Sequence, residues 1–396
     1  MKKFLGSIIL VVLALGLSGS SSFELTTLNH GFSKTSAQTG LDGENIEKEF
    51  KAAPGQMLKI DLETGGSIEI MGWDKDLVKV TVLIDGRDTE DVEFEFEETT
   101  KGIEIISDYY GRNRNRSIDI ELIVKVPKVF NIDFETAGGS VKIDGVEGEL
   151  QGETMGGSLD LLNLKGNVSM TTMGGSIELS NCEIDGNVKT MGGSVSLENV
   201  IGDVDAETMG GSIEHKNVKG RIDPDGKVVK LSTMGGSISV DEAPNGLNVK
   251  TMGGNIQIKS AGKFVEAETM GGQIEVEAVD GGIKAKTMGG DVYVTMIGDP
   301  AKGDRDVAIS SMGGDIELTV PAGLSMNVDI EIAYTKKYED DVEIVSNFNI
   351  EQEKSKGWEN DHGSKRKFLY GKATIGDGKN SIKIRTVNGV VKLKTK

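Results

Sequence analysis

The sequence predicts an all-β chain: a parallel β-solenoid of about ten coils with atypical β caps at both ends. Three observations carry this expectation. A Thr-Met-Gly-Gly phrase returns at a fixed spacing. Apolar and polar residues alternate after each phrase, the mark of a strand with one buried face. No unit shows a helical period, and none is long enough to hold a helix between its glycines.

The spacing is read from the methionines. Met155, Met173, Met191 and Met209 stand 18 residues apart, and so do Met234, Met252, Met270 and Met288. The step from Met209 to Met234 is 25 residues and that from Met288 to Met312 is 24, so insertions of 7 and 6 residues fall around 217–232 and 298–306. A degenerate copy, TAGGSVKI, starts at Thr136, and a shorter one, TGGSIEI, at Thr64.

With the Thr as position 1, position 6 is aliphatic in every unit (Val141, Leu159, Ile177, Val195, Ile213 onward). Position 8 is aliphatic too (Ile143, Leu161, Leu179, Leu197), except at His215. The residue between them is mostly polar. Positions 15 and 17 repeat the alternation (Leu150, Val168, Val204; Met170, Val188, Ala206), and position 11 adds Val146, Leu164, Cys182, Val200 and Val218. Each unit therefore predicts two short strands joined by turns, one at the Gly-Gly pair and one near Gly148, Gly166, Gly202, Gly220 and Gly281. A single unit buries almost nothing. Stacking units every ~4.8 Å puts position 6 over position 6 and closes a continuous core.

A stacked coil repeats its backbone geometry at every level, so a corner that needs Gly-Gly once needs it everywhere. The glycines are accordingly architectural; a phosphate loop requires a helix N-terminus after the glycine turn, and none follows. The methionines leave two readings open. Strict alternation turns Thr inward and Met outward, giving an exposed stripe for binding or docking. A corner can break alternation, and the favoured expectation is a buried Met ladder filling it. Handedness and cross-section stay open. A hexapeptide left-handed helix would place apolar residues every six positions, which does not fit, and the ligand pattern of calcium-binding β-rolls is missing.

Four segments are expected. Residues 1–37 form a signal peptide and short leader, with Lys2 and Lys3 before an apolar run and small residues after it. Residues 44–134 form an N-terminal β cap and opening coils, 135–333 the regular repeats, and 334–396 an irregular charged excursion with a closing coil. In the first cap, the DYYGRNRNR loop from Asp108 reads as a solvated loop, with anion or glycan binding as the alternative. In the last, Trp358 and Tyr370 are expected to plug the solenoid end, with exposed aromatic contact as the alternative.

Composition narrows the function. A net charge of −19 repels nucleic-acid phosphates, so no nucleic-acid partner is expected. No stretch after the signal segment is long and apolar enough to span a membrane. The single cysteine, Cys182, cannot make an intramolecular disulfide, occupies an inward position and reads as an inert thiol. Of the three histidines, His30 lies near the signal segment, His215 reads as a core histidine hydrogen-bonded to a neighbour, and His362 lies beside Asp361 in the excursion. Two insertions carry acidic loops, DPDGK from Asp223 and GDPAKGDRD from Gly298, where Asp-Gly turn chemistry is favoured over calcium. No catalytic, cofactor-binding or metal residue is assigned, and no cofactor is expected.

GSIEIMGWDKDLVKV near the start, VPKVFNIDFETAGGSVKIDGVEG before the array and IKIRTVNGVVKLK at the end resemble the bacterial putative-adhesin family of exported β-strand-repeat domains of unknown function. The resemblance covers almost the whole exported chain. It implies a β-solenoid, an envelope or surface location and adhesion; the family defines no ligand residues. The expected function is a non-enzymatic binding module in the periplasm, at the cell surface or outside the cell, with a glycan or protein partner. A periplasmic scaffold or sensory partner protein is the alternative, and an enzyme acting on polysaccharide is third.

Overall fold

The computed structural model describes residues 44–87, 89–111, 118–219, 228–361 and 363–396. The signal segment, His30, residues 112–116 of the Arg-rich loop, the DPDGK loop and His362 lie outside the described residues.

Each 18-residue unit forms two strands, and each strand joins a different parallel stack. The unit from Thr172 gives Ile177–Ser180 and Glu183–Thr190. The short strand pairs in parallel with Leu159–Leu162 and Val195–Glu198, residue over equivalent residue. The long strand pairs likewise with Lys165–Thr172 and Val204–Thr208. Positions 6, 8, 11 and 17 are buried along the array, as the alternation requires, with half-buried Gly152 and Ile297 the exceptions. The fold is the β-solenoid the sequence predicts. Neither stack closes into a barrel: the strands at the two ends of each stack pair inward, not with each other.

Register is kept across both insertions. Thr208 pairs with Thr233 and Ile213 with Ile238 across the first. Thr287 pairs with Ser311 and Val292 with Ile316 across the second. Every column of equivalent side chains therefore runs on through them.

The two ends are built by one device. The chain's first coil, Met57–Leu62 and Ser67–Trp73, sits inside, between the array and a later coil: Met57–Leu62 pairs with both Asn131–Thr136 and Gly102–Tyr109. Ser67–Trp73 pairs with both Val141–Asp144 and Ile118–Pro127. Antiparallel strands then seal the outside, namely Leu77–Gly86 with Glu44–Lys51, and Val92–Thr99. At the other end the last coil, Asn380–Val387 and Val391–Thr395, slots between the array and the earlier strands Met326–Tyr334 and Ile344–Ser346. Ser364–Ile375 closes that end antiparallel to Met326–Tyr334. The outer strands read ENIEKEFK, VEFEFEET and EQEK, and such charge-rich edges resist pairing with another chain. Trp358 packs edge-on to buried Tyr334 at 6.1 Å, as a plug would, whereas Tyr370 stacks on Phe368 at 5.9 Å on the strand face opposite buried Leu369 and is only half-buried.

Candidate functional site: the methionine–glycine corner

The Thr of each phrase points into the core and is buried from Thr136 to Thr287. Thr190 shows why. Its Oγ1 donates to the carbonyl of Gly175 in the preceding coil at 2.7 Å and accepts from the amide of Gly193 at 3.2 Å. The same pair of bonds recurs at Thr172, Thr208, Thr233, Thr251 and Thr287. With Thr turned inward to satisfy the corner's backbone, Met must turn outward. The favoured expectation of a buried methionine ladder is thus overturned: the nine methionines of the Met-Gly-Gly phrases, Met155, Met173, Met191, Met209, Met234, Met252, Met270, Met288 and Met312, are exposed, at 40–54%. Alternation holds through the corner because the Thr hydroxyl supplies the polar contact that a buried thioether would not.

The glycines are structural, for a reason narrower than the sequence suggested. At the Met-Gly-Gly corners no glycine has positive φ. The constraint is close approach between coils. A Cβ on Gly193 would lie 2.2 Å from the Gly175 carbonyl oxygen, and one on Gly192 would lie 3.0 Å from that of Gly174. The outer surface of the corner is therefore a row of thioethers beside a strip of bare glycine backbone. Ala137 and Val387 continue the column past its two ends without sulfur.

A second corner carries residues that sequence reasoning missed. Asn163, Asn181, Asn199 and Asn217 adopt φ of 53°, 57°, 55° and 49°. Asn tolerates this left-handed conformation better than other side chains. Their amides form a ladder, Asn199 Nδ2 donating to Asn181 Oδ1 at 3.1 Å and Asn217 Nδ2 to Asn199 Oδ1 at 2.6 Å. Four asparagines at position 10 were the available signal. Ion pairs between coils line the outer faces, for example Lys189–Glu207 and Lys250–Glu268, both at 3.3 Å. Such exposed pairs each contribute about 0–1 kcal/mol.

The sequence's single-residue candidates are dispersed. Cys182 is buried, its Sγ donating to the Ser180 carbonyl at 3.3 Å, and burial pushes its thiol pKa up. His215 is buried as expected, but neither ring nitrogen meets a hydrogen-bond partner, which corrects the expectation of a bonded histidine. Burial lowers its pKa to about 4. Tyr110, at the described edge of the Arg-rich loop, is 66% exposed.

In the second insertion a guanidinium sits where a cation would be sought. Arg305 is buried; its Nη1 donates to the Ile297 carbonyl at 2.6 Å, its Nε to those of Asp299 and Lys302 at 3.1 and 3.0 Å, and its Nη2 meets Asp280 at 2.5 Å. The loop's oxygens already hold a positive charge. Arg305→Met is expected to strand the Ile297, Asp299 and Lys302 carbonyls and lower stability by about 1–3 kcal/mol, the scale of a buried acceptor left without its donor. Urea denaturation with the loop's proteolysis rate checks this; an unchanged midpoint would remove the brace. Among the described residues, no group of three or more His, Cys, Asp or Glu side chains is placed to hold a metal ion, and no helix is long and apolar enough to cross a membrane.

No family model and no curated protein sequence matches the chain. Similar solved structures include a putative cell adhesion protein from Clostridium sporogenes, 12% identical, over 90% of this chain and 100% of that one, with a TM-score of 0.22. A putative adhesin from Bacteroides fragilis is 16% identical over 61% and 97%, with a TM-score of 0.29. A putative lipid binding protein from Parabacteroides distasonis is 15% identical over 70% and 98%, with a TM-score of 0.28. Two of these names agree with the adhesin family that the sequence resembles. At such TM-scores the likeness carries no argument about function, which must rest on the surface of this chain.

Proposed function

We propose that this chain is an exported, non-enzymatic binding module of adhesin type, making multivalent contact with a glycan or protein through its columns of repeated outward side chains. One observation carries the reading: side-chain register is unbroken across both insertions, so a methionine faces outward at each coil from Met155 to Met312. A partner that meets one rung is held near the next, and linked weak contacts gain avidity without any strong single site. The methionine–glycine corner is the foremost such surface, since exposed apolar rows are otherwise avoided.

Protease shaving of intact cells, followed by detection of this chain, tests the surface arm. Digestion in whole cells, with capture of the purified chain by a glycan or protein array, is the expected result. Protection until the envelope is opened would overturn surface adhesion and favour the periplasmic scaffold.

A further inference from the structure

The exposed thioethers form a donor set whose spacing is fixed by the backbone. We propose that the column from Met155 to Met312 binds soft monovalent cations, Cu(I) or Ag(I), each held between the sulfurs of successive coils. This goes beyond the adhesin reading and needs no cell-surface ligand.

Spacing is the first argument. Coils repeat every ~4.8 Å. Metal–sulfur bonds of about 2.3 Å place two sulfurs up to about 4.6 Å apart across one ion. Neighbouring rungs therefore present sulfurs at the separation that a two-coordinate ion needs, with small rotations of a flexible side chain closing it for a three-coordinate one. The rungs are tied at the methionines themselves: the Met209 carbonyl accepts from Gly235 N at 3.1 Å, and the Met234 and Met252 carbonyls accept from the next coils at 3.1 Å. The insertion before Met234 does not interrupt the series, because Thr208 and Thr233 stay paired.

Donor chemistry is the second. Thioethers select soft ions such as Cu(I), whereas calcium and magnesium require oxygen ligands. Several of the oxygens beside the column are already engaged. The Gly175 and Gly193 carbonyls accept from threonine hydroxyls, and Glu207 and Glu268 in the adjacent row are paired with Lys189 and Lys250. The sulfurs face solvent at this corner, and no side chain of the glycine strip shields them.

The test uses silver nitrate in chloride-free buffer, with bound Ag(I) counted after equilibrium dialysis of the full chain. The wild type is expected to hold about four ions, one for each pair of rungs. Two variants carry equal numbers of leucines. M155L/M173L/M191L/M209L leaves five neighbouring sulfurs, whereas M173L/M209L/M252L/M288L leaves five with no two adjacent. Both keep Cys182 and His215. The first should retain about half the sites; the second should bind roughly 10²-fold more weakly, having lost the effective concentration of a neighbouring sulfur. Circular dichroism of both checks the fold, which leucine at an exposed position leaves intact. Equal binding by the two variants, or a wild type no better than the second, would overturn the proposal. The readout is independent of the shaving experiment, so either reading can fail alone.

Discussion

Gly193→Ala is expected to cost about 4 kcal/mol, while Gly192→Ala, one residue earlier in the same corner, changes stability by less than about 1 kcal/mol. The added methyl is identical. At Gly193 it would meet the Gly175 carbonyl oxygen at 2.2 Å, and that oxygen is fixed by the Thr190 hydroxyl. Coils on either side hold both backbones, so the strain has no outlet. At Gly192 the nearest oxygen is 3.0 Å away, a small shift restores contact distance, and the loss of glycine entropy in the unfolded chain offsets the remainder. Denaturant midpoints of the two variants, with hydrogen exchange on the strands Ile177–Ser180 and Val195–Glu198, decide the matter. Equal midpoints would mean that coil spacing is not set at this corner.

His215→Val should stabilise the chain, and increasingly so in acid. The imidazole lies in a column between Leu197 and Val240 with neither nitrogen hydrogen-bonded, so even at pH 7 an aliphatic replacement is expected to gain about 1 kcal/mol. Burial holds its pKa at about 4, below the ordinary 6.5. The unfolded chain therefore binds a proton that the folded chain refuses. Stability falls as pH drops through 6.5 and the loss is complete below about 4, reaching about 3 kcal/mol. Urea titrations of wild type and variant at pH 7 and pH 4.5 measure the difference. If the two curves run parallel between these pH values, the imidazole is solvated and titrates at its ordinary value.

Much of this architecture could be read from the chain because the controlling force is periodic. Burial of positions 6 and 8 follows from alternation, and register follows from a period that only whole coils satisfy. The methionine column faces outward, against the favoured expectation, for a definite reason. Side-chain volume argued for filling a corner, but the corner's unsatisfied groups were backbone amides and carbonyls, and Thr rather than Met could bond to them. The asparagine ladder was overlooked because its backbone conformation, not its hydrophobicity, places it at position 10. Arg305 was illegible for another reason: its partners Asp280 and Ile297 are brought to it by the coil, and no spacing in a single loop announces them.

The interleaving of the two end coils has a consequence for the order in which the chain can fold. The last regular strands, Val307–Ser311 and Ile316–Val320, find their outer neighbours only when Asn380–Val387 and Val391–Thr395 arrive. Until then the growing array ends in an open parallel edge, and the intervening strands from Met326 onward have no seat against it. Parallel pairing between distant segments is slow, and unpaired edges in nascent chains invite aggregation. The first coil faces a shorter version of the same wait, since Met57–Leu62 acquires Gly102–Tyr109 on one side and Asn131–Thr136 on the other only as those strands appear. Added middle coils would lengthen the array without disturbing either closure, but a chain interrupted before its final residues would leave that edge bare.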